Sequence, residues 1–243
     1  MKILALDTAT EACSVALLLQ EGAATVPRLL GRERPPGPGH SADILSLVHE
    51  VLTEAAVSLR DLDCIAFGRG PGGFTGVRLA ASVTQGLAYG ADLAVVPVSD
   101  LLAVAQQALD LMPAAVSVLV CNDARMQEVY WTCATRGSDG LAAPAGPEQV
   151  GPPDTVQLQF ELPGPVLGAG RGFVVWPAIA QRLGRQLAQV HAELLPRAHE
   201  IARLAAPQWL AGQAVAPEQA LPVYLRNDVA TPPKEVTRKF TTS

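Results

Sequence analysis

At 243 residues, with 49% hydrophobic and 17% charged side chains and a formal net charge of −5, the chain has enough apolar content for one large packed domain or two small ones. Lysine occurs at Lys2, Lys234 and Lys239 alone, so no concentrated basic face is available and autonomous nucleic-acid binding is excluded. No apolar run reaches the length of a membrane span, Asp7 interrupts the apolar N-terminus early, and Cys13, Cys64, Cys121 and Cys133 show no CxxC spacing, which reads as a cytoplasmic protein with buried, reduced thiols.

Lys2–Leu6 and Cys13–Leu19 are compact apolar strands, and Ala24–Gly31 is a third. Glu21-Gly22 separates the last two, which predicts an antiparallel meander. Arg34-Pro35-Pro36-Gly37-Pro38-Gly39 is a loop. From His40 to about Leu59, Ile44, Leu45, Val48, Val51, Leu52 and Ala55 recur at helical spacing. A fourth strand, Cys64–Phe67, leads into a Gly-rich turn and a helix from Thr75 to about Tyr89, with Leu79, Val83 and Leu87 as its stripe. Leu93–Val98 is the fifth strand. Three antiparallel strands followed by strands added across helical crossovers fit a ribonuclease-H-like α/β unit. Ser99–Met112 reads as a linking helix capped by Ser99 or Asp100. Val116–Cys121 and Glu128–Thr135 pair as a hairpin, Gly137–Asp154 is irregular, Val166-Leu167 is a strand, and Ala198–Ala211 is a late helix. The second half resembles a degraded copy of the first. The division is a lobe over 1–100, a second lobe over 101–225, and a tail over 226–243 that is disordered beyond 231.

The turn Gly68-Arg69-Gly70-Pro71-Gly72-Gly73-Phe74-Thr75-Gly76-Val77-Arg78 carries the most information. Glycines there suit either an anion at the helix N-terminus or a closely apposed backbone. The spacing is neither a Walker loop nor a dinucleotide fingerprint. Asp7, Thr8 and Thr10, with Gly70, are the residues that would meet a nucleotide. Yet the first hairpin, Thr8-Ala9-Thr10-Glu11-Ala12, has no glycine to wrap phosphates, and Asp7 reads first as a side-chain turn cap. A metal site at His40 would want a second histidine at i+4, where Ile44 stands. No GxSxG elbow or Ser/His/Asp triad is visible, so no catalytic residue and no metal ligand are assigned. Leu47 and Val77 fall off the main helical stripes, which suggests a second apolar face for another subunit. Asp123-Ala124-Arg125 is a polar turn with a surface ion pair.

These segments together resemble the TsaB (YeaZ) family. The matching residues are Ile3 to Glu11, His40-Ser41, Gly70 to Arg78, Val98-Ser99 with Leu101, Asp123-Ala124-Arg125 with Val129-Tyr130, and Pro222-Val223-Tyr224-Leu225-Arg226. The resemblance implies an actin-like ATPase fold of two ribonuclease-H-like lobes. It further implies a non-catalytic role in making the threonylcarbamoyladenosine (t6A) beside the tRNA anticodon. In that system a TsaC protein makes threonylcarbamoyl-adenylate, TsaD holds the metal and transfers the group, and the ATPase TsaE joins TsaD and TsaB. Carried onto this chain, the partner surface would use His40, Ser41, Ile44, Leu45, Val48, Arg78, Leu79 and Val83, in a heterodimer with a TsaD-like subunit or a homodimer when alone. ATP or ADP and a metal would belong to the partner or the complex, and tRNA would be met through the complex. The competing readings are an autonomous ATP-dependent phosphotransferase, with Mg²⁺ on Asp7 and phosphates at the Gly70 and Gly168 turns, and a peptidase.

Overall fold

The computed structural model describes residues 1–22, 25–34, 43–158 and 161–226. β1 (Lys2–Asp7), β2 (Cys13–Leu19) and β3 (Arg28–Arg34) form the antiparallel meander, and β4 (Cys64–Gly68) and β5 (Ala94–Val98) add in parallel, giving the order β3-β2-β1-β4-β5. The strands read as continuous apolar runs because both faces of the sheet are covered. Leu4, Leu6, Val15, Leu17, Ile65 and Phe67 point to one side, against α1 (Ile44–Ala55) and α2 (Phe74–Ala91). Ile3, Ala5, Ala16, Leu18, Cys64 and Ala66 point to the other, against α3 (Asp100–Leu111) and α6 (Ala198–Leu210).

The second sheet comprises β6 (Ser117–Asp123), β7 (Val129–Arg136), β8 (Ala142–Pro144), β9 (Gln149–Gly151), β10 (Val166–Ala169) and β11 (Leu187–His191), ordered β11-β10-β6-β7-β8 with β9 also on β7. Its outer face is closed by Phe173 of α4 (Gly172–Val175) and by Ile179 and Leu183 of α5 (Ala178–Leu183). Its inner face, through Val118, Val120, Leu167 and Ala169, shares the core of α3 and α6. The two helices are thus a common layer between the sheets. α6, counted by sequence with residues 101–225, docks on the first sheet: Ser14 Oγ on β2 accepts from the Ala198 N–H at 2.8 Å, supplying a cap from a distant strand. Beyond α6, Val215 pairs antiparallel with Val95 on the edge of β5. This is the actin-like fold of two ribonuclease-H-like lobes.

Several boundaries differ from the expectation. α1 ends at Ala55 because Ala56 turns left-handed (φ 53°) and its N–H returns to Leu52 and Thr53. Ser99, not Asp100, caps α3 by accepting from the Leu102 N–H. The supposedly irregular 137–154 stretch contributes β8 and β9, and α4, α5 and β11 carry no clear sequence signal.

The helix stripes are also corrected. Ile44, Leu47, Val48, Val51 and Leu52 form the buried stripe of α1, at i, i+3, i+4, i+7 and i+8. In α2 the small residues Ala80, Ala81, Thr84 and Ala88, with Val77, pack inward, while Leu79, Val83 and Leu87 lie half-buried at the flank. Leu47 and Val77 therefore belong to this chain's own core and give no evidence of a second apolar face.

Candidate functional site

The C-terminal ends of the parallel strands β1, β4 and β5 converge, as the register sets Leu6 beside Phe67 and Gly68 beside Val98. This brings together Asp7, Gly68 and Asp100, the last on the first turn of α3. Both carboxyls are fully buried and lie close enough for each to shift the other's titration. They fit because residue 68 is glycine: a Cβ there would stand 2.2 Å from Asp100 Oδ1 and 2.7 Å from Asp7 Oδ1. Asp7 Oδ1 accepts from the Ala9 N–H at 2.9 Å, closing the side-chain turn, and Asp100 accepts from the Gly70 N–H. Asp7 Oδ2 and Asp100 Oδ1 take no hydrogen-bond partner among the described residues. A single proton held between the two carboxyls would satisfy both oxygens. Burial raises Asp7 to about 6, and burial followed by the neighbouring Asp7 charge raises Asp100 well above the carboxylate range.

The Gly-rich turn lies directly against the β1–β2 hairpin. A Cβ on Gly76 would meet Thr8 O at 1.9 Å, and one on Gly72 would meet Ala9 O at 2.5 Å. The Gly73 N–H donates to Ala9 O at 2.7 Å, and Thr8 Oγ1 donates to Gly76 O at 2.7 Å. Of the two uses the sequence left open for these glycines, the observed one is close apposition of backbones. Among Asp7, Thr8, Thr10 and Gly70, the first two are fully buried and the Gly70 amide is engaged by Asp100, while Thr10 reaches open space. Asp7, Thr8 and the Gly70 amide are thus already engaged within the protein and are not free to meet the phosphates of a nucleotide.

Above this floor the lobes enclose a cleft of about 1010 Å³. The hairpin at Thr10 and Glu11, the turn from Pro71 to Phe74, the β6–β7 turn and residues Tyr224 to Arg226 line it. The β6–β7 turn holds three successive left-handed residues, Arg125 (φ 58°), Met126 (φ 50°) and Gln127 (φ 62°), a costly conformation for residues other than glycine. Asp123 accepts from the Arg125 N–H at 3.2 Å, and the Arg226 guanidinium holds the turn through Glu128 and Ala124 O. The chain reaches that point as a strap from the first lobe, where the Val223 N–H donates to Arg69 O at 2.7 Å. Two further pairs tie the lobes: Arg69 with Glu148, bidentate at 3.0 and 3.2 Å, and Arg171 with Glu11.

Among the expected partner-facing residues, Leu45 (55% exposed) and Arg78 face outward, and Leu79 and Val83 are half-buried. Ile44 (2%) and Val48 (4%) are corrected to core positions, since both point at the sheet. His40 and Ser41 lie outside the described residues, as does the tail beyond Arg226. Sequence reasoning missed the pairing of Asp100 with Asp7, the Arg171–Glu11 tie and the strap. For the first, an acid opening a helix directly after a parallel strand was the available signal.

Burial leaves the thiols of Cys13 (about 11) and Cys64 (about 12) protonated and unreactive at neutral pH. Among the described residues no three His, Cys, Asp or Glu side chains gather as metal ligands, and no helix is long and apolar enough to cross a membrane.

The fold and its cleft define a two-lobed actin-like protein whose glycine turn is closed upon its own hairpin. Residues 35–233 match the family model of TsaD, tRNA N6-adenosine threonylcarbamoyltransferase. The tRNA threonylcarbamoyladenosine biosynthesis protein TsaB of Escherichia coli is 41% identical over 95% of this chain and 96% of its own length. The protein of the same name from Haemophilus influenzae is 37% identical over 94% and 95%. The structure of YeaZ from Pseudomonas aeruginosa superposes with a TM-score of 0.82 at 43% identity, covering 92% of this chain and 99% of that one. The chain belongs to the TsaB (YeaZ) family.

Proposed function

We propose that this chain is a non-catalytic subunit that binds a TsaD-like threonylcarbamoyltransferase and holds it in its active conformation for t6A synthesis on tRNA. The observation that carries the reading is the outward face of α2. This long helix is anchored at its start by the Gly76–Thr8 and Gly72–Ala9 contacts, yet Phe74, Thr75, Arg78, Ser82 and Tyr89 are left exposed. On α1, Leu45, His49 and Thr53 form a second exposed line at i, i+4 and i+8. Together these outward residues of α1 and α2 offer a surface to a protein partner. The free energy of that contact favours whichever conformation of the partner makes it best.

An autonomous phosphotransferase would need Asp7 and the Gly70 turn open to a nucleotide, and these groups are committed to each other's neighbours. In this reading ATP or ADP and any metal are held by the partner or the assembled complex, a TsaE-like ATPase joins it, tRNA is met through the complex, and the assembly works in the cytoplasm.

The test is co-elution with the TsaD-type subunit of the same organism on size exclusion. Wild type is expected to elute as a complex. Ser82→Arg and Leu45→Asp, both at exposed positions, are expected to separate from it while melting as wild type does. Co-elution of the double variant at wild-type affinity would overturn the assigned faces, and failure of the wild type to bind would overturn the role.

A further inference from the structure

At the cleft mouth the Arg78 guanidinium carbon lies 3.5 Å over the centre of the Phe74 ring and 5.5 Å from that of Tyr224. Arg78 Nε donates to the Tyr224 hydroxyl at 2.7 Å, and the two rings stand 6.0 Å apart. The guanidinium is therefore fixed in plane and direction while its two terminal nitrogens take no acceptor among the described residues. A guanidinium stacked on aromatic rings is pre-organised for bidentate contact with a carboxylate.

The other three arginines lining the same cleft differ in one respect. Arg125 pairs with Asp123, Arg171 with Glu11 and Arg226 with Glu128. Arg78 has no acidic partner among the described residues. Around it Phe74 (54% exposed), Tyr224 (47%) and Met126 (71%) present apolar surface to solvent. Aromatic and arginine side chains grouped in this way are the usual composition of an interface hot spot.

We propose that the Phe74–Arg78–Tyr224 cluster receives an acidic side chain of the protein partner, and that the partner surface therefore continues from α2 onto the strap at Tyr224. The proposal rests on the partner reading above and names the chemistry of one contact within it. Continuity argues for a protein: Phe74, Arg78 and Ser82 follow one another at i, i+4 and i+8 on the same outward face. Charge counting argues for a single carboxylate. With three of four cleft arginines neutralised internally and a net charge of −5, the site lacks the positive field that a polyphosphate or a nucleic-acid backbone requires.

The test measures affinity for the TsaD-type subunit by calorimetry, using wild type, Arg78→Ala, Arg78→Lys and Tyr224→Phe in the full chain. Arg78→Ala is expected to weaken binding about thirtyfold or more. Arg78→Lys should recover little of this, because an ammonium cannot form the bidentate pair. Tyr224→Phe, which removes the hydroxyl that orients Arg78 Nε, should weaken binding severalfold. Inorganic phosphate and Mg-ATP, titrated against the free chain, should give no binding that depends on Arg78. Wild-type affinity in both Arg78 variants overturns the proposal but leaves the partner reading standing if Ser82→Arg still abolishes the complex. Loss of Arg78-dependent phosphate or ATP binding in the variants would assign the cluster to a free anion instead. No binding by wild type would refute the partner reading itself.

Discussion

The Asp7 and Asp100 carboxyls meet at full burial against the Cα of Gly68, one at the end of the first strand and the other at the start of the helix that links the lobes. Because burial raises both, the folded state holds protons that the unfolded chain releases near pH 4. The stability this pair permits is complete below the unfolded value and is lost as pH rises through about 6 for Asp7 and higher for Asp100. Asp100→Asn keeps an acceptor for the Gly70 N–H and gives Asp7 a permanent donor. The variant is expected to match wild type at pH 4 and to exceed it by about 1–2 kcal/mol at pH 8, read as the difference between two denaturation curves. A variant less stable than wild type at pH 8 would contradict the shared proton.

Two glycines in one helix are expected to respond with opposite sign. Gly76→Ala drives a methyl into Thr8 O, backbone against backbone, and should cost about 3 kcal/mol or prevent folding. Gly86→Ala meets nothing within 4 Å and should stabilise by about 0.5–1 kcal/mol through helix propensity. Thermal melts of the two variants check this directly. Equal effects would mean that the hairpin does not press on the turn.

Ser14 tests the cross-sheet packing of α6. Ser14→Ala removes the acceptor for the buried Ala198 N–H and should cost about 1 kcal/mol. Hydrogen exchange should show the first turn of α6 opening sooner than the rest of the helix. Unchanged protection there would mean that α6 is held by its apolar face alone.

The first lobe was legible because its pattern is local. Apolar runs with turn residues between them, then helices at 3.6-residue spacing, give β1 to β5 and α1 to α3 as elements, though β3 runs Arg28–Arg34 where Ala24–Gly31 was expected, and α1 stops at Ala55 where Leu59 was expected. The stripes were harder. Counting apolar residues put Leu45 on the main stripe of α1 and Leu47 off it, whereas the sheet takes Ile44, Leu47 and Val48, and α2 buries its alanines and leaves Leu79 at the flank. In α2 size was mistaken for depth, since close approach to a sheet favours small residues. The dyad, the strap and three of the four arginine contacts of the cleft, Arg78–Tyr224, Arg171–Glu11 and Arg226–Glu128, depend on residues far apart in sequence, which no local pattern reveals; the fourth, Arg125–Asp123, is local and was legible as the ion pair of a polar turn. The turn at Arg125–Gln127 was beyond reach for a different reason: its left-handed backbone is imposed by Arg226 and Asp123 and not by glycine.

The central claim, that this chain acts by gripping a catalytic subunit, is met most directly by measuring t6A formed on unmodified tRNA with TsaD-, TsaC- and TsaE-type proteins, threonine, bicarbonate and ATP. The account predicts t6A with wild type present, and loss of it both on omission of the chain and on its replacement by the folded Ser82→Arg variant. Full t6A synthesis without the chain would contradict it.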